Sequence, residues 1–211
     1  MLTTEAAFTL RKWTVKEYHK LGEMGFFHPE ERVELLSGNI IKMSAKGTAH
    51  TSATRRTASV LRDLLGNQAA IYTQDPIALD DNSEPEPDIA AVRIEPFDYA
   101  THHPTPSEVY LIIEVADSSL TFDREIKAKI YARSGIADYW VLNVGDRQLH
   151  VFREPRGRWV SKRSNSWGNC EHFTARIPHF QYRNSGNVAP SGIKLKTVVS
   201  IVFVCELWFF Y

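Results

Sequence analysis

Two carboxylates stand where carboxylates are costly. Asp88 opens the apolar run Ile89-Ala90-Ala91-Val92, and Glu114 lies inside Val109-Tyr110-Leu111-Ile112-Ile113-Glu114-Val115-Ala116. An ionised carboxylate on a buried strand loses much of its hydration unless a cation or a set of donors meets it. If the two strands are neighbours, one cation can serve both side chains. Two carboxylates holding a divalent metal aim a hydroxide in line and place positive charge beside a pentacovalent phosphorus, which is what phosphodiester hydrolysis requires.

A lysine completes that chemistry by orienting or deprotonating water. At about 100° per residue, Ile126, Ile130, Tyr131 and Ser134 mark one side of the helical segment 122–134; Lys127 falls within that arc and Lys129 points away from it. An ammonium in the sheet-facing stripe needs an anion unless it snorkels to water, so Lys127 is the candidate and Lys129 is read as solvated. Glu34 either faces solvent from its strand or adds a ligand that orients metal-bound water. His50 is either a hydrogen-bonded structural histidine or a contact to substrate phosphate, and Gln74 either a surface amide or a group reaching the site from an adjacent strand. His102 and His103 sit in a Pro-rich loop and are assigned no chemistry.

The elements that must position these groups are legible in the periodicity. Residues 13–21 read as a short helix capped by Thr14, and 32–43 as a hairpin turning at Ser37-Gly38-Asn39. Residues 48–65 have helical spacing, with Thr54, Thr57, Leu61, Leu64 and Leu65 on one side and Gly66-Asn67 as the stop. Residues 70–79 read as an edge or bulged strand that tolerates Pro76, 80–86 as a turn, and 93–108 as a loop. The Glu114 strand is too continuously apolar to be half solvated and is predicted to be central. The 122–134 helix closes at Gly135, 138–144 and 148–153 form a further hairpin, and 158–161 can add one more strand. The order helix, three strands, helix, strand predicts an α/β fold with a mixed sheet flanked by helices, preceded by an N-terminal helix and hairpin. Trp140 is expected to be core packing beneath the site.

The totals fit one sizeable domain. Apolar content of 43% and charged content of 24% over 211 residues exclude a disordered chain. With Lys+Arg and Asp+Glu equal at 25 each, no net field draws in nucleic acid, so DNA must be met by local patches. Arg55, Arg56 and Arg62, with Arg153, Arg156, Arg158, Lys162 and Arg163, are the candidates. Cys170 and Cys205 lack metal-ligand spacing, and the first residues carry no basic and apolar leader, which points to a reducing cytoplasm. Residues 164–191 are polar without clear period. Residues 197–211 are apolar yet shorter than the ~20 that span a bilayer, so a buried strand is expected and no membrane.

The ordered series Arg32-Val33-Glu34-Leu35-Leu36-Ser37-Gly38, His50, Glu86-Pro87-Asp88-Ile89, Ile113-Glu114-Val115-Ala116-Asp117-Ser118-Ser119, Asp123-Arg124-Glu125-Ile126-Lys127 and Tyr131 to Trp140 resembles the Uma-type restriction endonuclease family. That family is a branch, common in cyanobacteria, of the PD-(D/E)XK nuclease superfamily. The likeness spans residues 10–155 and rests on the series, since a single Pro-Asp or Glu-Val-Ala match is weak. It implies a restriction-endonuclease-like αβββαβ core over residues 1–160, with a divergent segment at 161–211. It also implies a Mg²⁺ or Mn²⁺ site on Asp88, Glu114 and the Val115 carbonyl, and DNA as substrate for an endonuclease. Where the superfamily places its lysine, two residues after Glu114, this chain has Ala116; Lys127 on the following helix takes that place. Paired cuts on opposite strands would suit a homodimer. Two other readings use the same residues: a nuclease-like fold serving as a binding or assembly module, and an RNA or nucleotide phosphodiesterase.

Overall fold

The computed structural model describes residues 10–153 and 160–163. Thr14 begins the first helix as its side chain predicts: its hydroxyl accepts from the Glu17 N–H, and the Glu17 carboxylate receives the Thr14 N–H. This helix, α1, runs Val15–Glu23. The hairpin comes next as β1 (Val33–Leu36) and β2 (Asn39–Lys42), turning through Ser37 and Gly38 at φ of 49° and 74°. Both central residues of such a tight turn need positive φ. Gly38 has a second constraint, because a Cβ there would lie 2.7 Å from that of Lys12.

α2 (Thr48–Leu65) buries Ala53, Thr54, Thr57, Ala58, Leu61 and Leu65 along one face. It packs on a six-stranded sheet ordered β3 (Ala70–Tyr72), β4 (Ile89–Val92), β5 (Val109–Ala116), β6 (Asp138–Asn143), β7 (Gln148–Arg153) and β8 (Val160–Arg163). Only β5 and β6 pair in parallel, and every other neighbouring pair is antiparallel. The β5 to β6 crossover is helical: α3 (Leu120–Phe122), a π-helical turn (Asp123–Lys127) and α4 (Ala128–Arg133) run on from one another. The result is the mixed sheet flanked by helices, in the order helix, three strands, helix, strand, that the periodicity predicts.

Alternation on β5 assigns its two faces. Leu111, Ile113 and Val115 join the core under α2, with Trp140 beside them. Ile112 and Ala116 join Ala128, Ile130 and Tyr131 on the opposite side. Glu114 has the parity of the second set, so its carboxylate is directed toward the α4 layer.

Two expectations need correction. Of the 70–79 strand only Ala70–Tyr72 pairs in the sheet. Gln74 turns out of the strand at φ 63°, and Pro76 has no N–H to offer a ladder. The chain then hydrogen-bonds irregularly to the next segment through Gln74 N–H to Pro87 O and Ile77 N–H to Pro85 O. The crossover helix, read as uniform, contains the π turn. The expectations for Arg156, Arg158, Cys170, Cys205 and the stretch 197–211 fall outside the described residues, and of Lys162 and Arg163 only the backbone is described. Among the described residues no helix is long and apolar enough to cross a membrane.

Candidate active site

The site forms where the β4–β5 ladder runs out. Ile89 pairs with Ile113, so the next step outward sets Asp88 against Glu114. Beyond the last rung the backbone amides lose their strand partners, and buried amides need acceptors. The carboxylates supply them crosswise: Val115 N–H donates to Asp88 Oδ2 at 2.9 Å, and Asp88 N–H donates to Glu114 Oε2 at 3.4 Å. Val115 thus meets Asp88 through its amide.

Lys127 closes the site from the crossover helix. Its Nζ lies 3.0 Å from Glu114 Oε1 and 3.0 Å from Glu34 Oε1. Tyr131, one turn on, donates its hydroxyl to Glu114 Oε1 at 2.9 Å, and Glu34 Oε2 accepts the Glu86 N–H at 3.2 Å. Glu34, Glu114 and Lys127 are 2%, 3% and 4% exposed, so these pairs are shielded from water. The solvent-facing reading of Glu34 is thereby overturned: the bridge between Leu35 and Glu84 lays the hairpin against the segment that leads to Asp88. The π turn also buries Asp123, which accepts the Ser119 hydroxyl at 2.6 Å. Lys129 lies exposed beside Glu125.

The other wall belongs to the start of α2 and the turn at Gln74. His50 Nε2 is 3.0 Å from Asp88 Oδ2, and Gln74 Nε2 donates to Asp88 Oδ1 at 3.4 Å. Lys46, in the loop entering α2, brings its ammonium within 4.0 Å of Asp88 Oδ1. Arg55 is exposed farther along α2. Arg62 donates to the Ile71 carbonyl, and Arg153 is engaged in a 2.6 Å cross-strand pair with buried Asp138.

Electrostatics separates the two carboxyls. Burial alone would raise Asp88, but the His50 hydrogen bond and charge, the Val115 N–H and Lys46 together hold it below the ordinary value. Burial pushes Glu114 up to about 8; Lys127 opposes this, and the charges of Asp88, Asp123 and Glu34 add to it. Burial would strip Lys127 of its proton, yet Glu114, Glu34 and Asp123 outweigh it and hold the ammonium above the usual lysine range. Lys46 is lowered, first by burial and then by Arg32.

The cluster is therefore short of positive charge. Glu34, Glu114 and Asp123 share the buried Lys127, Asp88 has His50 and the Lys46 ammonium at 4.0 Å, and Asp88 Oδ1 and Glu114 Oε2 each have only a 3.4 Å hydrogen bond. Two hard, under-satisfied oxygens on adjacent strands fit an ion such as Mg²⁺, which keeps several waters and uses one or two carboxylates. Among the described residues no group of three or more His, Cys, Asp and Glu side chains forms a protein cage for a metal. Sequence reasoning passed over Lys46, Tyr131 and Asp123 as site residues. Tyr131 had a signal, standing one turn beyond Lys127 in the same stripe, whereas Lys46 sits in the Ala45-Lys46-Gly47 loop, which has no periodicity to read.

Residues 15–174 match the model of the family Uma2, described as "Putative restriction endonuclease". Among solved structures, the crystal structure of "a putative nuclease belonging to DUF820" from Anabaena variabilis is similar, with a TM-score of 0.58 and 16% identity. The match covers 78% of this chain and 89% of that one, a likeness of fold. No curated protein matches. With the family model covering most of its length, the chain belongs to the Uma2 family of restriction-endonuclease-like proteins.

Proposed function

We propose that the chain is a divalent-metal-dependent endonuclease that hydrolyses DNA phosphodiester bonds. The observation that carries this reading is the crosswise pairing of Asp88 and Glu114 at the end of the ladder, each with a poorly satisfied oxygen, beside a buried ammonium. Asp88, Glu114 and the Val115 carbonyl would hold Mg²⁺ or Mn²⁺, which supplies positive charge to the phosphoryl oxygens and acidifies water. Lys127 has two of its three donors committed to Glu34 and Glu114, so it keeps Glu114 aimed and retains one N–H for the attacking water. Glu34 assists by fixing Lys127. His50 and Gln74 steady Asp88 from the substrate side, and Arg55 offers a phosphate contact along α2.

Zero net charge goes with weak, salt-sensitive DNA binding. Cutting both strands calls for two sites related by a twofold axis, hence a homodimer, which light scattering would detect. Such a substrate suits a cytoplasmic enzyme whose catalytic domain is 1–160, with 161–211 an extension.

The test is supercoiled plasmid incubated with Mg²⁺ or Mn²⁺. Nicking abolished by EDTA, and reduced about 100-fold or more in Asp88→Asn, is expected. Cleavage that persists in Asp88→Asn rejects the assignment. RNA and cyclic nucleotides in parallel define the substrate class.

A further inference from the structure

One cation at the site has no hydrogen-bond partner. The Lys46 ammonium nitrogen is buried and makes no hydrogen bond, its Asp88 neighbour standing 4.0 Å away. An ammonium carries three donors, and leaving them unmet away from water is costly. Lys127 is built the opposite way, clamped at 3.0 Å by each of two carboxylates under a side chain only 5% exposed, so it cannot leave its place. The Lys46 side chain is 18% exposed and hangs on a flexible four-carbon stem from a loop. His50 Nδ1, four residues on, is also without a partner on this wall. The two ammonium groups thus divide the work: one is fixed beneath the carboxylates, and the other is held near Asp88 by charge alone.

We propose that Lys46 is a catalytic residue of the hydrolysis described above, swinging about its stem to donate to a non-bridging oxygen of the scissile phosphate. The inference rests on the nuclease reading and names the phosphate contact within it, with Lys127 left to Glu114 and the attacking water. In the step itself a P–O bond forms from water and the ester P–O bond breaks. A proton from water ends on the leaving oxygen, and Lys46 remains an ammonium throughout. A phosphate oxygen supplies the acceptor that Lys46 lacks and spreads its charge onto the pentacovalent state.

The experiment compares the full chain with Lys46→Met and Lys46→Arg in plasmid nicking with Mg²⁺. It also compares their binding to a DNA duplex with Ca²⁺ across a salt series, and their thermal unfolding. Lys46→Met should lower kcat about 100-fold. It should also flatten the slope of log affinity against log salt by about 0.9, the loss of one phosphate contact. It should change Tm little, since the ammonium it removes makes no hydrogen bond and only a 4.0 Å ion pair with Asp88, and Lys46→Arg should retain much of both functions. Wild-type rates and an unchanged slope in Lys46→Met overturn the inference and leave the nuclease reading intact. A wild-type chain that binds DNA without cutting it overturns the nuclease reading, and with it the catalytic role of Lys46. A wild-type chain that neither cuts nor binds overturns both.

Discussion

Lys127 is the residue on which the local balance of charge depends. Replacing it by Met leaves Glu34 and Glu114 facing each other without their shared counter-ion, and breaking a buried pair in this way costs about 3–5 kcal/mol. Urea denaturation in EDTA should show that loss for Lys127→Met, with part of it recovered when Glu114→Gln is added. A loss under ~1 kcal/mol would show that the clamp is weak. Asp88, Glu114 and Lys127 were legible in the sequence because each is a charge in an apolar pattern, and desolvation makes such a charge conspicuous. Glu34 was ambiguous because its strand alternates, and only the lie of the hairpin against Glu84 buries both sides. Lys46 was silent because its ion-pair partner, Asp88, lies about forty residues away in sequence.

At the level of elements, the 93–108 connection shows how a Pro-rich loop is made to hold still. Its last turn, Pro106–Glu108, is closed by a reciprocal cap in which the buried Glu108 carboxylate receives the Thr105 N–H and hydroxyl, and Arg93 at the end of β4 adds a 2.6 Å bond. Burial would raise the Glu108 carboxyl, but the Thr105 bonds and then Arg93 and His102 hold it below its ordinary value. A depressed carboxyl contributes stability that is present above the unfolded pKa and is lost as pH falls through the folded one. Glu108→Gln should therefore cost about 1 kcal/mol at neutral pH and flatten the acid limb of stability below about pH 4.5, as followed by circular dichroism. An acid limb identical to wild type would show that the cap carries no charge dependence. The sequence marked this stretch as loop from its prolines, and the capping pair Thr105-x-x-Glu108 was readable there as well. The π turn was not readable, because an inserted residue in a helix leaves the apolar stripe on each side almost unchanged.

For the molecule as a whole, a mixed sheet with helices on both faces emerged from apolar runs of strand length alternating with helical spacing, and the central place of β5 from its lack of polar alternation. Strand order was beyond reach of the pattern, since β7 and β8 read equally well as a separate hairpin. If a divalent ion joins the two carboxylates, it binds the folded chain alone and must stabilise all of it. Mg²⁺ or Mn²⁺ at 100 times its Kd should add about 2.7 kcal/mol in calorimetric unfolding, and both Asp88→Asn and Glu114→Gln should abolish the gain. An equal rise in the variants would place the ion elsewhere. The described groups hydrogen-bonded or ion-paired to Asp88 and Glu114 all come from chain that precedes β6, whereas β7 and β8 widen the sheet on its far side. The turn at 145–147 therefore separates candidate site from frame: a lineage can rewrite the strands beyond it without retuning that site, and an engineer can open the chain there to make a two-piece protein.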